Sequence, residues 1–163
     1  MRIGKSRGSY LPILTSLVSR TSGSILELGV GFCSTPYLHW VCYPTKRRLV
    51  SYENNPEYYG FAKSWEDDFH EVHCITDWDS IDISEPWTIA FVDHSPGERR
   101  AEETKHLIHA DYVVIHDTEN SNDRRYRLST VRGLFKYRYK YRDAHPHTSV
   151  WSNKYDLTGF QIP

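Results

Sequence analysis

Five short apolar runs, each carrying or followed by an acidic residue, constrain this chain more than any other feature. The runs are SILELGV (24–30), RRLVSYE (47–53), HEVHCI (70–75), WTIAFVD (87–93) and DYVVIHD (111–117). Such runs are typical of strands buried on both faces, as in parallel sheets. Because parallel neighbours need crossover connections, helices then cover the sheet. The pattern therefore predicts an α/β, three-layer sandwich with a mostly parallel sheet.

Helical periodicity fills the intervals between these runs. Apolar side chains in residues 10–18 predict a leading helix, with Pro12 suited to its first turn. Further helices are predicted over 35–43, 56–68 and 97–110. Two alternating runs, 134–143 and 147–160, follow residue 125 and predict a C-terminal antiparallel hairpin at the end of the sheet.

Size and charge exclude several classes of protein. The chain has 163 residues and a formal net charge of −1, which fits one domain and gives no global sign of a nucleic-acid or membrane partner. No apolar run approaches the roughly 20 residues that cross a bilayer, and the first residues lack a signal-peptide pattern. We expect a soluble, cytoplasmic protein with no membrane partner.

The ends of the predicted strands hold the candidate ligand-binding residues. In doubly wound sheets the ligand lies beyond the carboxyl ends of the strands. Gly29 lies in the first run, two positions after Glu27, Gly31 follows that run directly, and Glu53 ends the second run. An acid about 20 residues after a glycine turn is typical of ribose recognition. A G-x-G alone is often only a turn, but together with Glu53 it predicts a nucleoside site.

The dinucleotide-binding fingerprint and the P-loop are both absent, but a different cofactor-binding pattern is present. Ser34 breaks G-x-G-x-x-G, and no G-K-[ST] follows to make a P-loop. The segments ELGVG, SYENNP and FVDHSP, in that order, resemble the class I S-adenosylmethionine (SAM)-dependent methyltransferases from about residue 24 to the end. The C-terminal hairpin is similar to the reversed last strand pair of that Rossmann-like family. Cys33 departs from the family's third glycine.

The resemblance implies roles for individual residues. The turn from Glu27 to Gly31 would lie against the methionine part of SAM, and Glu53 would accept hydrogen bonds from both ribose hydroxyls. Asp77 looks like the acid that receives the adenine amino group, with Trp78 as a stacking candidate. For Asp77 a solvated loop acid, and for Trp78 simple packing, stay open as alternatives.

The ends of the fourth and fifth runs carry the candidate catalytic residues Asp93, His116 and Asp117. Catechol-type O-methyltransferases, which the sequence resembles here, carry divalent-metal ligands at similar places. The resemblance thus implies a possible Mg²⁺ or Mn²⁺ site, with Asp93 also near the cofactor; histidine favours Mn²⁺. His116 as a general base, or polar residues that merely end buried strands, are the alternatives.

Basic residues suggest two further interpretations. Between 124 and 142 there are eight basic residues, and in KYRYKYR the cations alternate with tyrosines on opposite faces of a strand. The row fits a charged edge that prevents strand pairing, which we favour, or a surface for phosphates or an acidic partner. Arg99 and Arg100 could hold an anionic substrate, although exposed salt bridges to Glu102 or Glu103 are the commoner arrangement.

These features predict one methyltransferase-like domain over 1–163. It consists of a leading helix (1–22), a cofactor-binding core (24–120) and a C-terminal helix and hairpin (125–163). The predicted function is SAM-dependent methyl transfer to an unidentified acceptor, for which a small molecule is favoured over nucleic acid because DHSP is not an Asx-Pro-Pro-aromatic motif. The N-terminal segment, the loop 94–100, the loop 118–130 or a neighbour in a homo-oligomer would complete the acceptor site, with 118–130 as the best candidate for a lid. A non-enzymatic nucleoside- or SAM-binding protein and a nicotinamide-binding protein are the alternatives.

Overall fold

A computed structural model describes residues 8–162, which form seven strands and five helices. The first seven residues of the predicted leading segment and Pro163 lie outside the described residues. The helices are α1 (Leu11–Val18), α2 (Ser34–Cys42), α3 (Pro56–Lys63), α4 (Arg100–His106) and α5 (Asp123–Tyr126). The strands are β1 (Ile25–Leu28), β2 (Leu49–Glu53), β3 (His70–Cys74), β4 (Ile89–Val92), β5 (Tyr112–His116), β6 (Tyr137–Tyr141) and β7 (Thr148–Ser152).

All seven strands belong to one mixed sheet with the order β3-β2-β1-β4-β5-β7-β6. The first five strands in that order are parallel. β7 inserts antiparallel beside β5, and β6 pairs antiparallel with β7 at the edge. The predicted fold is therefore confirmed, including the C-terminal hairpin. Strand order reverses between β1 and β4, so a crevice opens at their carboxyl ends.

Apolar packing on both faces of the sheet produces three layers. Alternate residues of β1 point to opposite faces, so Ile25 and Leu26 belong to different core clusters. One cluster packs the sheet against α1 and α2, which contribute Ile13 and Leu38. The other cluster lies under α4 and α5. β1 and β4 are buried along their whole length, and all their residues except Glu27 are apolar.

Local sequence signals set where α3 begins and ends. Asn55 is the N-cap, since its side chain accepts hydrogen bonds from the backbone N–H groups of Glu57 and Tyr58. Pro56 fills the first position, where no N–H is needed. The helix ends at Lys63, five residues before the predicted end, because residues 64–66 close with tighter turns onto the last helical carbonyls. The turn from β2 into α3 is thus fixed directly after Glu53.

No helix among residues 8–162 combines the length and apolar character needed to cross a bilayer.

Gly29 permits a close backbone approach between the ends of β1 and β4. Its φ is +88°, and a Cβ atom there would lie 2.5 Å from the Cα of His94 and 2.6 Å from its backbone nitrogen. Both the left-handed conformation and the lack of space exclude any larger residue. The glycine is therefore required by the fold at this point, independently of any ligand.

We expect Gly29→Ala to destabilise the protein by about 2–5 kcal/mol, since it adds backbone strain to a steric clash with the backbone of Asp93 and His94, directly after β4. Gly60→Ala is the matched control: Gly60 lies in α3, and a Cβ there meets nothing within 4 Å. That change should stabilise by about 0.5–1 kcal/mol. Urea denaturation measures both, and a similar effect of the two substitutions would contradict the close approach.

Candidate functional site

Glu53 joins two loops at the carboxyl end of β2. Its Oε2 atom accepts a hydrogen bond from the backbone N–H of Val30 at 2.9 Å. Its Oε1 atom accepts from the backbone N–H groups of Asn54 at 2.9 Å and Asn55 at 2.7 Å. Burial raises the pKa of the carboxyl group, and these three donors lower it in part. The side chain therefore holds the turn after β1 against the turn after β2.

A cavity of about 430 Å³ opens beside Glu53, at the predicted edge of the sheet. Its walls come from the turns after β1 and β2, the ends of β4 and β5, and the segment before α1. Five predicted site residues line it: Gly31, Glu53, Asp93, His116 and Asp117. The strand ends therefore converge as the sequence predicted. The size is within the range of small-molecule sites.

Aromatic side chains that the sequence analysis missed also line this cavity. Phe32 and Tyr58 contact each other with their ring centroids 5.3 Å apart. Tyr10 borders the cavity from the segment before α1 and packs edge-on against His116. Phe32 follows Gly31 directly and Tyr58 lies in the first turn of α3. Their closeness in sequence to the turns after β1 and β2 could have identified them as cavity residues.

Glu27 lies beneath the glycine turn and is fully buried. Its carboxylate accepts hydrogen bonds from the hydroxyl groups of Thr35 at 3.0 Å and Ser51 at 2.6 Å. The Thr35 hydroxyl in turn accepts the backbone N–H of Gly31. Glu27 does not belong to the cavity wall. It supports the turn through Thr35.

The polar chain beneath the turn continues into the core. Ser51 donates its only hydroxyl hydrogen to Glu27, so the Nε2 atom of His70, 3.0 Å away, donates to Ser51. The Nδ1 atom of His70 then accepts from Nδ1 of His39 at 3.2 Å. Burial, with the neighbouring His39, lowers the pKa of His70 to about 4. His70 is thus a neutral, structural histidine.

Asp77 and Trp78 lie away from the cavity. Asp77 is exposed, and its side chain accepts a hydrogen bond from the backbone N–H of Asp79 at the start of a short 3₁₀ turn. Trp78 is buried, donates to the backbone carbonyl of Ser95 at 3.0 Å and packs against His94, with ring centroids 4.2 Å apart. Trp78 therefore supports the loop after β4. A contact of either residue with adenine stays a prediction.

Arg100 connects the candidate catalytic residues and was not identified as buried from the sequence. Its guanidinium lies 2.9 Å from Asp93 Oδ1 and 3.5 Å from Asp117 Oδ2. It also donates to the backbone carbonyls of His94 and His116. Arg99, by contrast, pairs with Asp79 and Glu103. The predicted salt bridge to Glu103 thus belongs to Arg99.

The neighbours of His116 determine its protonation. Ser9 donates its hydroxyl hydrogen to the carbonyl of Pro146, so it accepts from Nε2 of His116 at 2.9 Å. Nδ1 of His116 lies 3.2 Å from Asp93 Oδ1. Because a carboxylate oxygen accepts hydrogen bonds, Nδ1 is favoured as the donor in this contact. Burial lowers the pKa of His116, but the hydrogen bond and charge of Asp93, aided by Asp117, outweigh burial and raise it. Each ring nitrogen thus faces an oxygen atom that favours a hydrogen on that nitrogen.

The implied divalent metal does not fit this arrangement. Ligand atoms of Asp93, His116 and Asp117 do lie within 4.8 Å of one another. A metal needs an unprotonated histidine nitrogen and carboxylate lone pairs free to bind it. Here the positive charge of Arg100 already contacts both carboxylates, and both ring nitrogens of His116 already face oxygen atoms of Ser9 and Asp93. We derive no catalytic step through a metal.

We expect Arg100→Gln to destabilise the protein by about 3–5 kcal/mol, because it leaves two partly buried carboxylates without their cation. Arg125→Gln is the control, since Arg125 pairs with Glu98 where both side chains are more than half exposed. It should cost less than about 1 kcal/mol. Urea denaturation compares the two, and equal losses would show that Arg100 is only a surface charge.

Glu27 should make stability depend on pH. Burial raises the pKa of this carboxyl group to about 7, although hydrogen bonds from Ser51, Ser34 and Thr35 oppose the shift. Because the folded pKa exceeds the unfolded one, the stabilisation by protonated Glu27 is full below about pH 4.5 and is lost as the pH rises to about 7.

Glu27→Gln should remove that dependence. The free energy of unfolding of the variant, minus that of wild type, should increase by roughly 2–3 kcal/mol from about pH 5 to about pH 8. Glu57→Gln, at an exposed position in α3, should follow the wild-type profile. Denaturation at the two pH values tests this, and parallel profiles for Glu27→Gln and wild type would contradict the raised pKa.

Comparisons with known proteins identify the fold. No protein-family model matches the sequence, and no curated protein matches it. The O-methyltransferase TomG from Streptomyces achromogenes, in complex with SAM, has a TM-score of 0.63 and 18% identity over 94% of this chain and 82% of that chain. An O-methyltransferase from Bacillus cereus, in complex with S-adenosylhomocysteine (SAH), has a TM-score of 0.61 and 17% identity over 92% and 81%.

The likeness extends beyond O-methyltransferases. The N-terminal domain of human METTL16, in complex with SAH, has a TM-score of 0.63 and 13% identity over 96% of this chain and 73% of that chain. All three identities are below 25%, so the likeness concerns the fold alone. The chain has the fold of the class I SAM-dependent methyltransferases.

Proposed function

We propose that this protein binds SAM in the cavity beside Glu53 and transfers its methyl group to an acceptor. The observation that carries this proposal is the position of the cavity. It lies at the carboxyl ends of β1 and β4, where the strand order reverses, with Glu53 and the glycine turn in its wall. Structural neighbours with the same fold are complexes with SAM or SAH. Their ligands support SAM over a nicotinamide dinucleotide.

Glu53 retains capacity for one strong ribose contact. A carboxylate offers about four acceptor positions, and three are used by the backbone N–H groups of Val30, Asn54 and Asn55. The free position is on Oε2, which accepts only from Val30. One ribose hydroxyl therefore suits Glu53, rather than the two implied by the family resemblance. Phe32 and Tyr58 supply the aromatic surface beside it.

The chain's own residues mainly align the reactants. SAM supplies a methyl group on a positively charged sulfur, and its transfer is an in-line displacement. Asp93 and Asp117 border the cavity and are held in place by Arg100. Both ring nitrogens of His116 already face hydrogen-bond acceptors, Ser9 and Asp93, so neither is free to contact an acceptor substrate. Asp117 is the carboxylate placed to take a proton from an acceptor.

Asp117 is also a strained residue. Its φ is +58°, in the left-handed region, which costs a non-glycine residue roughly 1 kcal/mol or more. The conformation directs the chain out of β5 toward the loop 118–130. Strain held at the border of a cavity supports a role for Asp117 in the site.

Calorimetric titration of the whole chain with SAM, SAH and NADH tests the proposal. We expect SAM and SAH to bind and NADH not to bind, with no change on adding Mg²⁺, Mn²⁺ or a chelator. Methyl release to a panel of acceptors then separates an enzyme from a protein that only binds nucleosides. Failure of both SAM and SAH to bind would remove the proposed function.

Glu53→Gln should weaken SAM and SAH binding by about 10–100-fold, because the amide carries no charge and offers fewer acceptor positions. Its NH₂ group would also face backbone N–H donors. Glu57→Gln, four residues further along the chain and exposed, should bind as wild type does. Thermal unfolding without ligand shows whether the variant is folded, and unchanged affinity in a folded Glu53→Gln variant would contradict this assignment.

A further inference from the structure

A second cavity adjoins the first through Asp117. It has a volume of about 470 Å³ and lies between α5 with its following turns and the strands β6 and β7. Asp117 belongs to the walls of both cavities. Trp151 and Leu128 form part of its apolar floor, and both are largely buried in the core. We call this second cavity the basic cleft.

Four cations line the basic cleft. β6 alternates as the sequence predicted: Tyr137 and Tyr139 pack into the core layer with α1, while Arg138, Lys140 and then Arg142 face the cleft. Arg132 joins them from the turn that precedes β6. The cations thus share one concave surface beside the cofactor cavity. A row of charges that only prevents pairing with strands of other chains would not need to line a cavity.

The acidic residues of the cleft are already engaged. Asp117 pairs with Arg100, and Glu119 accepts the backbone N–H of His147 and pairs with His145. Asp123 accepts the backbone N–H of Ser129 at 2.8 Å.

Arg132 and Arg142, by contrast, form no ion pair within residues 8–162. Burial lowers the pKa of Lys140, as do the charges of Arg142 and Arg132, while Glu119 opposes them. At least two of the four cations of the cleft therefore have no ion-pair partner among the described residues.

We propose that the basic cleft binds the anionic group, a carboxylate or phosphate, of a small-molecule methyl acceptor. This inference rests on the proposed function. Arg132 and Arg142 are free to contact the anion, and Asp117 at the shared wall lies next to the cofactor cavity. The cleft favours a small anion over nucleic acid, because its cations line a concave cavity of about 470 Å³, a size that suits a small molecule.

In such a complex the acceptor's reacting atom would approach the cofactor cavity past Asp117. A lone pair on that atom forms the bond to the methyl carbon as the carbon–sulfur bond breaks, and the electrons of the broken bond return to sulfur. The proton released by the acceptor passes to the Asp117 carboxylate. No metal or redox partner is needed for this balance.

Inorganic phosphate is the probe that tests the cleft without SAM. Titration into the isotope-labelled full chain, followed by NMR, should give saturable shifts of amides in 118–120 and 138–142. The double variant Arg132→Gln/Arg142→Gln should raise the Kd for phosphate by at least about tenfold, through loss of charge-assisted hydrogen bonds. Arg124→Gln is the matched control, because Arg124 is exposed in the same basic stretch and does not line the cleft.

The control should change the Kd for phosphate by less than about twofold. Absence of saturable shifts, or an equal loss in Arg124→Gln, would overturn the proposal. It would also be overturned if a short single-stranded RNA bound, lost binding in the double variant, and phosphate gave no shifts; the cleft would then serve nucleic acid.

Calorimetry with SAM on the same variants separates the two proposals. If the cleft binds the acceptor, the double variant should retain the SAM affinity of wild type while phosphate binding falls. A wild-type chain that binds phosphate in the cleft but no SAM would refute methyl transfer and leave an anion site. A chain that binds SAM but shows no cleft shifts would refute the acceptor site alone.

Discussion

The turn after β1 is held by two carboxylates, and the cavity beside Glu53 depends on both. Glu27 supports the turn from the core through Thr35, and Glu53 holds it from the side through the N–H of Val30. Both groups are buried acids, which are stable only when hydrogen bonds compensate the loss of water. The backbone contact of Gly29 with His94 then sets the distance to β4. The cavity is therefore largely preformed.

Arg100 gives the far side of the cavity a similar rigidity by a different means. Its guanidinium contacts two carboxylates from the ends of neighbouring strands and two backbone carbonyls. A planar, permanently charged group suits such a position because it offers five donors in a fixed arrangement. The resemblance to metal-dependent enzymes thus concerns the positions of the acidic residues. The positive charge between these acids is the guanidinium of Arg100 instead of a metal ion.

Sequence patterns predicted the sheet and the converging strand ends because parallel strands deliver their carboxyl ends to one edge. This argument located Glu53, Asp93 and Asp117 at the cavity. It could not locate Trp78, whose side chain is buried by its hydrogen bond to the carbonyl of Ser95 and by packing against His94. It also missed Arg100, since a charge at a helix start is usually solvated and its burial depends on partners from two separate strands.

The hydroxyl group of Ser9 links three distant parts of the chain. It accepts from His116 and donates to the carbonyl of Pro146, so the segment before α1, the end of β5 and the β6–β7 connection meet at one atom. A residue without a hydroxyl at position 9 would leave a protonated imidazole nitrogen without an acceptor. Among relatives of this protein, positions 9 and 116 should therefore vary together: a histidine at 116 requires an acceptor at 9, and loss of one relaxes selection on the other.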